Sequence, residues 1–372
     1  MFVVPKVKFG DVVKEVKNKI DRNNNPYEYY VAGDHMDSED LTIHRRGCFA
    51  TDDVGPAFIR EFRKGQVLYG SRRTYLKKVA VADFDGVTAN TTFVLETKDQ
   101  NVLLQELLPF IMLTDNFTKW SIGKSKGSTN PYILFSDLAD YEFDLPTIEE
   151  QRKLATVLWK MFRLKEGYVE LQHQSDQLVQ SQFIEMFGDP IANPKGWNTK
   201  PLSQVAPEKS ATPLTQDSVW LLNLDMIESN TGNIISKVVV PQSEIGSSTY
   251  PFDSSMVLYS KLRPYLNKVV VPEESGYATT ELVGFTPDST LLNKYFLAYL
   301  LRSNEFVAYT VALSGGTRMP RTPMTELRKF ACILPPIEMQ ERFVSLTEQF
   351  DKSKSLRELT VQNQVMGGVR CA

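Results

Sequence analysis

From Leu154 onward, apolar residues recur at alternating steps of three and four, through Val157, Met161, Leu164, Tyr168, Leu171 and Leu178, and only Ser175 breaks the row. That spacing predicts a long helix with one apolar seam of coiled-coil type. Pro146 is tolerated at a first turn, and Glu149 and Glu150 suit the positive end of a helix dipole, so the helix should start near Thr147. Gly188-Asp189-Pro190 should stop it. A second, less regular stripe of Phe343, Leu346, Phe350, Leu356 and Leu359 follows Pro336, with Gly367-Gly368 at its end. A helix of about 30 to 40 residues is roughly 45 to 60 Å long. An ordinary packed face would give a similar stripe. One small domain could not cover so long a helix, however, and a second stripe lies one repeat away, so the two helices are expected to pair within the chain.

Between the helices the pattern changes to short runs rich in β-branched residues. Gln66–Tyr69, Lys78–Ala82, Thr92–Leu95 and Ile234–Val240 predict strands, and Leu291–Leu301 a helix. The globular parts therefore read as mixed α and β.

The chain repeats itself. Shifted by 190 residues, Val67-Leu68-Tyr69 falls on Val257-Leu258-Tyr259, and the match runs on through Arg73/Arg263, Tyr75/Tyr265, Leu76/Leu266, Lys78/Lys268, Val79/Val269 and Val81/Val271. At a shift of 189, Leu145-Pro146-Thr147-Ile148-Glu149-Glu150-Gln151 falls on Leu334-Pro335-Pro336-Ile337-Glu338-Met339-Gln340, so both halves carry L-P-x-I-E-x-Q. A looser echo pairs Pro5-Lys6 and Phe9–Val12 with Pro194-Lys195, Trp197 and Leu202–Val205. A period this long marks a duplicated domain-plus-helix unit rather than a solenoid. The expected layout is α+β, with mixed domains over residues 1–144 and 189–333 and helical spacers over 145–188 and 334–372.

Composition adds limits. At 372 residues, 42% hydrophobic and 23% charged, the chain has room for two domains and an ordinary globular profile. No apolar run is long enough to span a bilayer and the start lacks a signal peptide, so a cytoplasmic protein is expected, with no membrane contact. Cys48, Cys332 and Cys371 are far apart, and with only His35, His44 and His173 to help them they suggest neither a disulfide framework nor a metal site. The formal charge of -3 means that any surface for a polyanion must be local.

Such a local surface is present. Arg60, Arg63, Lys64, Arg72, Arg73, Lys77 and Lys78 face a single acid, Glu61, with Tyr69 and Tyr75 interleaved. The second copy holds Lys261, Arg263 and Lys268 with Tyr259 and Tyr265. A basic loop with small residues precedes each long helix: Lys119, Lys124, Lys126 and Ser128 in one half, Thr317, Arg318 and Arg321 in the other. Arginine and lysine on phosphates would give affinity, and bidentate contacts to base edges would give sequence. One such run is ordinarily a solvated face; recurrence at matching positions favours binding.

Catalytic motifs are weaker. Asp85, Glu96 and Lys98 have the acid, acid, lysine order of a metal-dependent nuclease, but the duplicate has Ser275, Thr286 and Asp288. Asn25-Pro26-Tyr27 and Asn130-Pro131-Tyr132 lack the second proline of an amino-methyltransferase motif and read as turns. No cofactor site is expected, and catalysis is expected from partners. A nuclease acting alone, or a scaffold that ignores DNA, are the rival readings.

The paired L-P-x-I-E-x-Q motifs, with Phe187-Gly188-Asp189-Pro190 and Asn193-Pro194-Lys195-Gly196-Trp197 opening the second domain, resemble the specificity subunit of type I restriction-modification systems over essentially the whole chain. The resemblance implies two target-recognition domains held apart by an antiparallel helix pair, a coiled coil with a pseudo-twofold repeat. Each domain would read one half of a split, asymmetric site on double-stranded DNA. It also implies two methyltransferase subunits docked on the helices, joined by restriction subunits. The spacer would act as a ruler between half-sites, with one DNA turn of roughly 34 Å as its natural unit. Pro146, Glu149, Gln151, Leu154, Met161, Leu164 and Leu171, with Pro336, Glu338, Gln340, Phe343 and Phe350, are the expected spacer positions. The DNA-contact candidates are Arg72, Arg73, Tyr75, Lys77, Lys78, Lys124, Lys126, Ser128, Lys261, Arg263, Tyr265, Lys268, Thr317, Arg318 and Arg321.

Overall fold

The structure, a computed structural model, describes residues 5–314 and 319–348. Thr317, Arg318, Phe350, Leu356, Leu359, Gly367, Gly368 and Cys371 lie outside the described residues, and with them most of the second apolar stripe and its expected pairing.

The first long helix spans Ile148–Phe187. It starts with a reciprocal cap: Glu150 N–H donates to Thr147 Oγ1 at 3.4 Å, and Thr147 N–H donates to the Glu150 carboxylate at 2.9 Å. Two of the free donors of a helix N-terminus are thereby satisfied, a cap worth about 1 kcal/mol. It stops where expected, because Gly188 takes φ 78 and its N–H bonds Ile184 O at 2.8 Å. The Asn-Pro-Lys-Gly-Trp segment completes this end: the Trp197 indole donates to Phe187 O at 2.9 Å and Lys195 Nζ to Met186 O at 3.1 Å. A Cβ on Gly188 would come within 2.9 Å of Pro194, so no larger residue fits there.

Two compact units divide inside this helix, after Lys165. The first unit contains a sheet in the order Val13–Glu15, Thr92–Thr97, Val67–Gly70, Val79–Val81. A second sheet runs Gly47–Cys48, Tyr29–Val31, Gly86–Ala89, Phe58–Phe62, and a two-stranded clasp joins Lys6–Lys8 to Glu142–Asp144. Phe9, Tyr69, Phe117 and Leu108 are among the buried residues of its core, on which Leu154, Leu158, Trp159 and Phe162 of the helix pack.

The second unit repeats this plan. Leu282–Phe285, Val257–Ser260 and Val269–Val270 form one sheet. Val238–Pro241, Ser218–Leu222, Gly276–Thr279 and Thr249–Phe252 form the other, with the same parallel pair at its centre. Thr199–Pro201 and Ala331–Ile333 form the clasp. Register repeats as well: Val67 faces Leu95, and Val257 faces Phe285. The core gathers Phe183 and Phe187 from the long helix around Phe296 and Phe343, with Phe187 and Phe296 edge to face at 4.8 Å. Burying each such ring contributes about 1.5–3 kcal/mol. Phe343 belongs to the helical segment 337–348, so the end of the long helix meets that segment.

Two expectations change. Strand Ile234–Val240 shrinks to Val238–Pro241, because it pairs on one side only and leaves Ile235 and Val239 about 60% exposed at the sheet edge. The predicted helix over 291–301 runs over Lys294–Arg302, with Asn293 as its cap. Along the long helix, Leu154, Met161 and Tyr168 are half-buried, whereas Val157, Leu164, Leu171 and Leu178 form an exposed row.

Candidate nucleic-acid interface

The strands Val67–Gly70 and Val257–Ser260 each run into the same unusual turn. Arg73 and Arg263 adopt left-handed backbone (φ 51 and 50), a single 3-10 turn follows over Thr74–Leu76 or Pro264–Leu266, and Lys77 and Asn267 are left-handed again (φ 47 and 48). Left-handed non-glycine residues cost on the order of 1–3 kcal/mol each and persist where surrounding contacts over-determine them. Those contacts are duplicated. Arg73 N–H bonds Pro131 O and Arg263 N–H bonds Pro320 O, both at 2.7 Å, and the turns close from Leu76 N to Arg73 O and from Leu266 N to Arg263 O, both at 2.9 Å.

These bonds bring the two basic segments of each half together. Arg72 bridges to Tyr132, which pairs with Lys126 in both directions; Leu262 bridges to Arg321. The turn and the loop before the long helix therefore form one surface in each unit. Its tip carries an exposed tyrosine, Tyr75 at 53% and Tyr265 at 48%.

The cations of this surface divide into two sets. Arg72 and Arg73 are exposed and Lys261 is half-buried, and none of the three side chains has a hydrogen bond or ion pair among the described residues. Arg263 is half-buried with an Nε that lacks an acceptor. Ser128 is exposed, and Lys124 lies 4.9 Å from the Trp120 ring centroid. The other set is tied to the protein. Lys77 pairs with Glu39 at 2.6 Å and Asp115 at 3.3 Å, and the Glu39 bond raises its pKa. Lys126 pairs with Asp137, and Arg321 with Glu281. Lys78 and Lys268, equivalent in the repeat, donate to the backbone oxygens of Gly33 and Leu224.

The run of seven cations is therefore less positive than a local count implies. Arg60 is buried against Glu15 at 2.8 Å, and Arg63 bonds Glu61 and Asp85. The nuclease-like trio is dispersed among other partners. Asp85 accepts from Lys64 N–H and from Arg63, which hold its pKa low; Lys98 donates to Gly10 O. Burial opposes the charge on Glu96, but bonds from Lys14 and Gln66 still leave its pKa lowered. Asn25 forms the expected turn, its amide side chain bonding both Tyr27 N–H and Tyr27 O.

Gln151 and Gln340 are the most constrained of the helix-start residues, each fully buried. Pro146 and Pro336 each place a carbonyl at that start: Pro146 O accepts from Gln151, and Pro336 O from Gln340 N–H. Glu149 pairs with Lys153 on the surface, and Glu338 is also exposed.

One repeated constellation has no signal in the linear sequence. Arg46 lies 3.8 Å from the Tyr29 ring centroid, and Lys237 lies 5.3 Å from that of Trp220. The strand registers make these pairs equivalent, since Tyr30 faces Gly47 and Leu221 faces Val238.

With this geometry established, known proteins place the chain. The model of the type I restriction modification DNA specificity domain matches residues 6–170 and again 194–366. The specificity subunit of the type I restriction enzyme MjaIX of Methanocaldococcus jannaschii is 24% identical over 325 residues, 78% of this chain and 72% of that protein. The EcoDI specificity subunit of Escherichia coli is 22% identical over 294 residues, 69% of this chain and 64% of that protein. The S subunit of a type I restriction-modification system from M. genitalium shares the fold, with a TM-score of 0.56 at 12% identity over 98% of this chain and 94% of its own. One family's model thus matches twice, once on each half of the repeat, and the chain belongs to the type I restriction modification DNA specificity domain family.

Proposed function

We propose that this chain is the sequence-reading subunit of a type I restriction-modification complex, and that each unit reads one half of a split, asymmetric site on double-stranded DNA. The supporting observation is the duplicated turn: Arg73 and Arg263 hold the same left-handed backbone, beside exposed Tyr75 and Tyr265. A turn that stores strain in both copies is preserved for what it presents. Arg72, Arg73, Lys124, Lys261 and Arg263 supply cations for phosphates and base edges, whereas Lys77, Lys78, Lys126, Lys268 and Arg321 shape the surface through internal bonds.

The chain does no chemistry in this reading. Methyltransferase subunits, two per chain, and restriction subunits supply catalysis, and the complex works in the cytoplasm; no helix among the described residues is long and apolar enough to cross a membrane. Co-expression with the methyltransferase subunit, followed by mapping of methylated adenines across the host genome, tests this directly. One split motif with a fixed gap is the expected result. A stable complex that methylates no defined motif would reject it.

A further inference from the structure

In each unit the loop that joins two strands of the second sheet is bonded onto the left-handed turn. The loop between Tyr29–Val31 and Gly47–Cys48 corresponds to the one between Ser218–Leu222 and Val238–Pro241. Val87 and Tyr277 are repeat equivalents, and since Tyr30 faces the one and Leu221 the other, the two loops align at a shift of 191. Both begin with the same tight turn: His35 N–H bonds Ala32 O at 3.1 Å, and Met226 N–H bonds Asn223 O at 3.2 Å. Both are then clamped to the basic turn at two points. Lys78 donates to Gly33 O and Lys268 to Leu224 O. At the far end Glu39 N–H bonds Lys77 O at 3.2 Å, and Asn230 N–H bonds Asn267 O at 3.1 Å. Glu39 and Asn230 are left-handed at that bond (φ 56 and 69), and between the clamps Met36 and Ile227 are buried in the core. Each loop is thus an arch fixed at both ends to the turn of Arg73 or Arg263.

Asp34 and Asp225 sit on these arches, one residue past the first clamp. Both are exposed, and neither has a hydrogen bond or ion pair among the described residues. Of the seven positions from Gly33 to Glu39, only Asp34/Asp225 and Ser38/Ser229 are identical in the two copies. A free carboxylate beside cations that attract phosphates lowers affinity, because it repels the same backbone. It gives no stability in return, since it bonds nothing within the chain. What a carboxylate can do there is accept hydrogen bonds, and the donors on base edges in the major groove are the exocyclic amines of cytosine and adenine.

We infer, resting on the DNA-reading function proposed above, that Asp34 and Asp225 are specificity-determining residues, each accepting a hydrogen bond from the exocyclic amino group of one cytosine or adenine in its own half-site. The clamped arch fixes each carboxylate relative to the turn, so that acid and arginine address the same half-site together.

The test selects duplexes from a random pool on the full chain, for wild type, Asp34→Ala and Asp225→Ala, and then measures affinity for the wild-type site with each base pair changed in turn. Wild type is expected to enrich one split motif. Each variant is expected to lose about tenfold discrimination at a single base pair, in one half for Asp34→Ala and in the other for Asp225→Ala, while affinity for unrelated duplexes holds or rises as a negative charge is removed. At that base pair, a cytosine or adenine analogue without its exocyclic amino group should weaken wild type by about tenfold and leave the variant unaffected. Variants that keep every base preference of wild type would overturn the inference, as would uniform weakening across all sequences, the mark of a merely structural role. A wild type that enriches no sequence would remove the DNA-reading function itself, and the inference with it.

Discussion

Gln151 and Gln340 make the same three hydrogen bonds in the two halves of the chain. Gln151 accepts from Leu104 N–H at 3.0 Å and donates to Val102 O and Pro146 O, both at 2.9 Å. Gln340 accepts from Asn293 N–H at 2.9 Å and donates to Leu291 O at 3.0 Å and Pro335 O at 2.8 Å. The last residue of L-P-x-I-E-x-Q is therefore a latch that fixes the start of each helix to its own domain, through a side chain fully buried from water.

Gln151→Leu should accordingly destabilise the chain. The substitution strands a backbone N–H and two carbonyls beside a fully buried side chain, and each unsatisfied buried group costs about 1–3 kcal/mol. Urea unfolding of the full chain followed by tryptophan fluorescence should show a loss of at least about 2 kcal/mol. A change below about 0.5 kcal/mol would show that the latch is dispensable.

Arg73→Ala and Arg263→Ala should each weaken binding to duplex DNA by about tenfold at moderate salt, and lower the slope of log affinity against log salt by about one if the contact is to phosphate. Neither change should shift the thermal midpoint downward, because neither side chain has an internal bond among the described residues. Unaltered affinity in both variants would remove these arginines from the interface.

Glu96 should make stability depend on pH. Lys14 and Gln66 leave its folded pKa lowered against the opposing effect of burial, so its contribution is present above the unfolded value and is lost as pH falls through the folded one. Glu96→Gln should be less stable than wild type at pH 7, and the two should converge as pH falls below the carboxylate range. A difference that persists at pH 3 would mean that the charge of Glu96 is not its contribution.

The two described cysteines should differ in reactivity. Burial pushes the Cys332 thiol up to about 12, while Cys48 is half-exposed. Maleimide at neutral pH should label Cys48 in the folded chain and reach Cys332 only after denaturation. Equal rates for both would contradict the buried position of Cys332.

Much of this architecture was legible because duplication writes it twice. The L-P-x-I-E-x-Q motifs marked both helix starts, Gly188 marked a helix end, and the match around Val67 and Val257 located the paired turn. Electrostatics was harder to read. A count along Arg60–Lys78 sees Glu61 but not Glu15, Glu39, Asp85 or Asp115, which arrive from other strands and loops and neutralise Arg60, Lys77 and Arg63. The expected strand Ile234–Val240 is shorter in the structure, Val238–Pro241, because β-propensity does not distinguish a central strand from an edge. The pairing of Arg46 with Tyr29 depends on antiparallel register, which no single segment contains.

The central claim is that each turn serves its own half of the DNA site. The direct measurement is the affinity of wild type and Arg263→Ala for three duplexes: the intact site, the site with its first half scrambled, and the site with its second half scrambled. The expected result is that the variant loses discrimination at one half and keeps it at the other. Equal loss at both halves, or none at either, would contradict it.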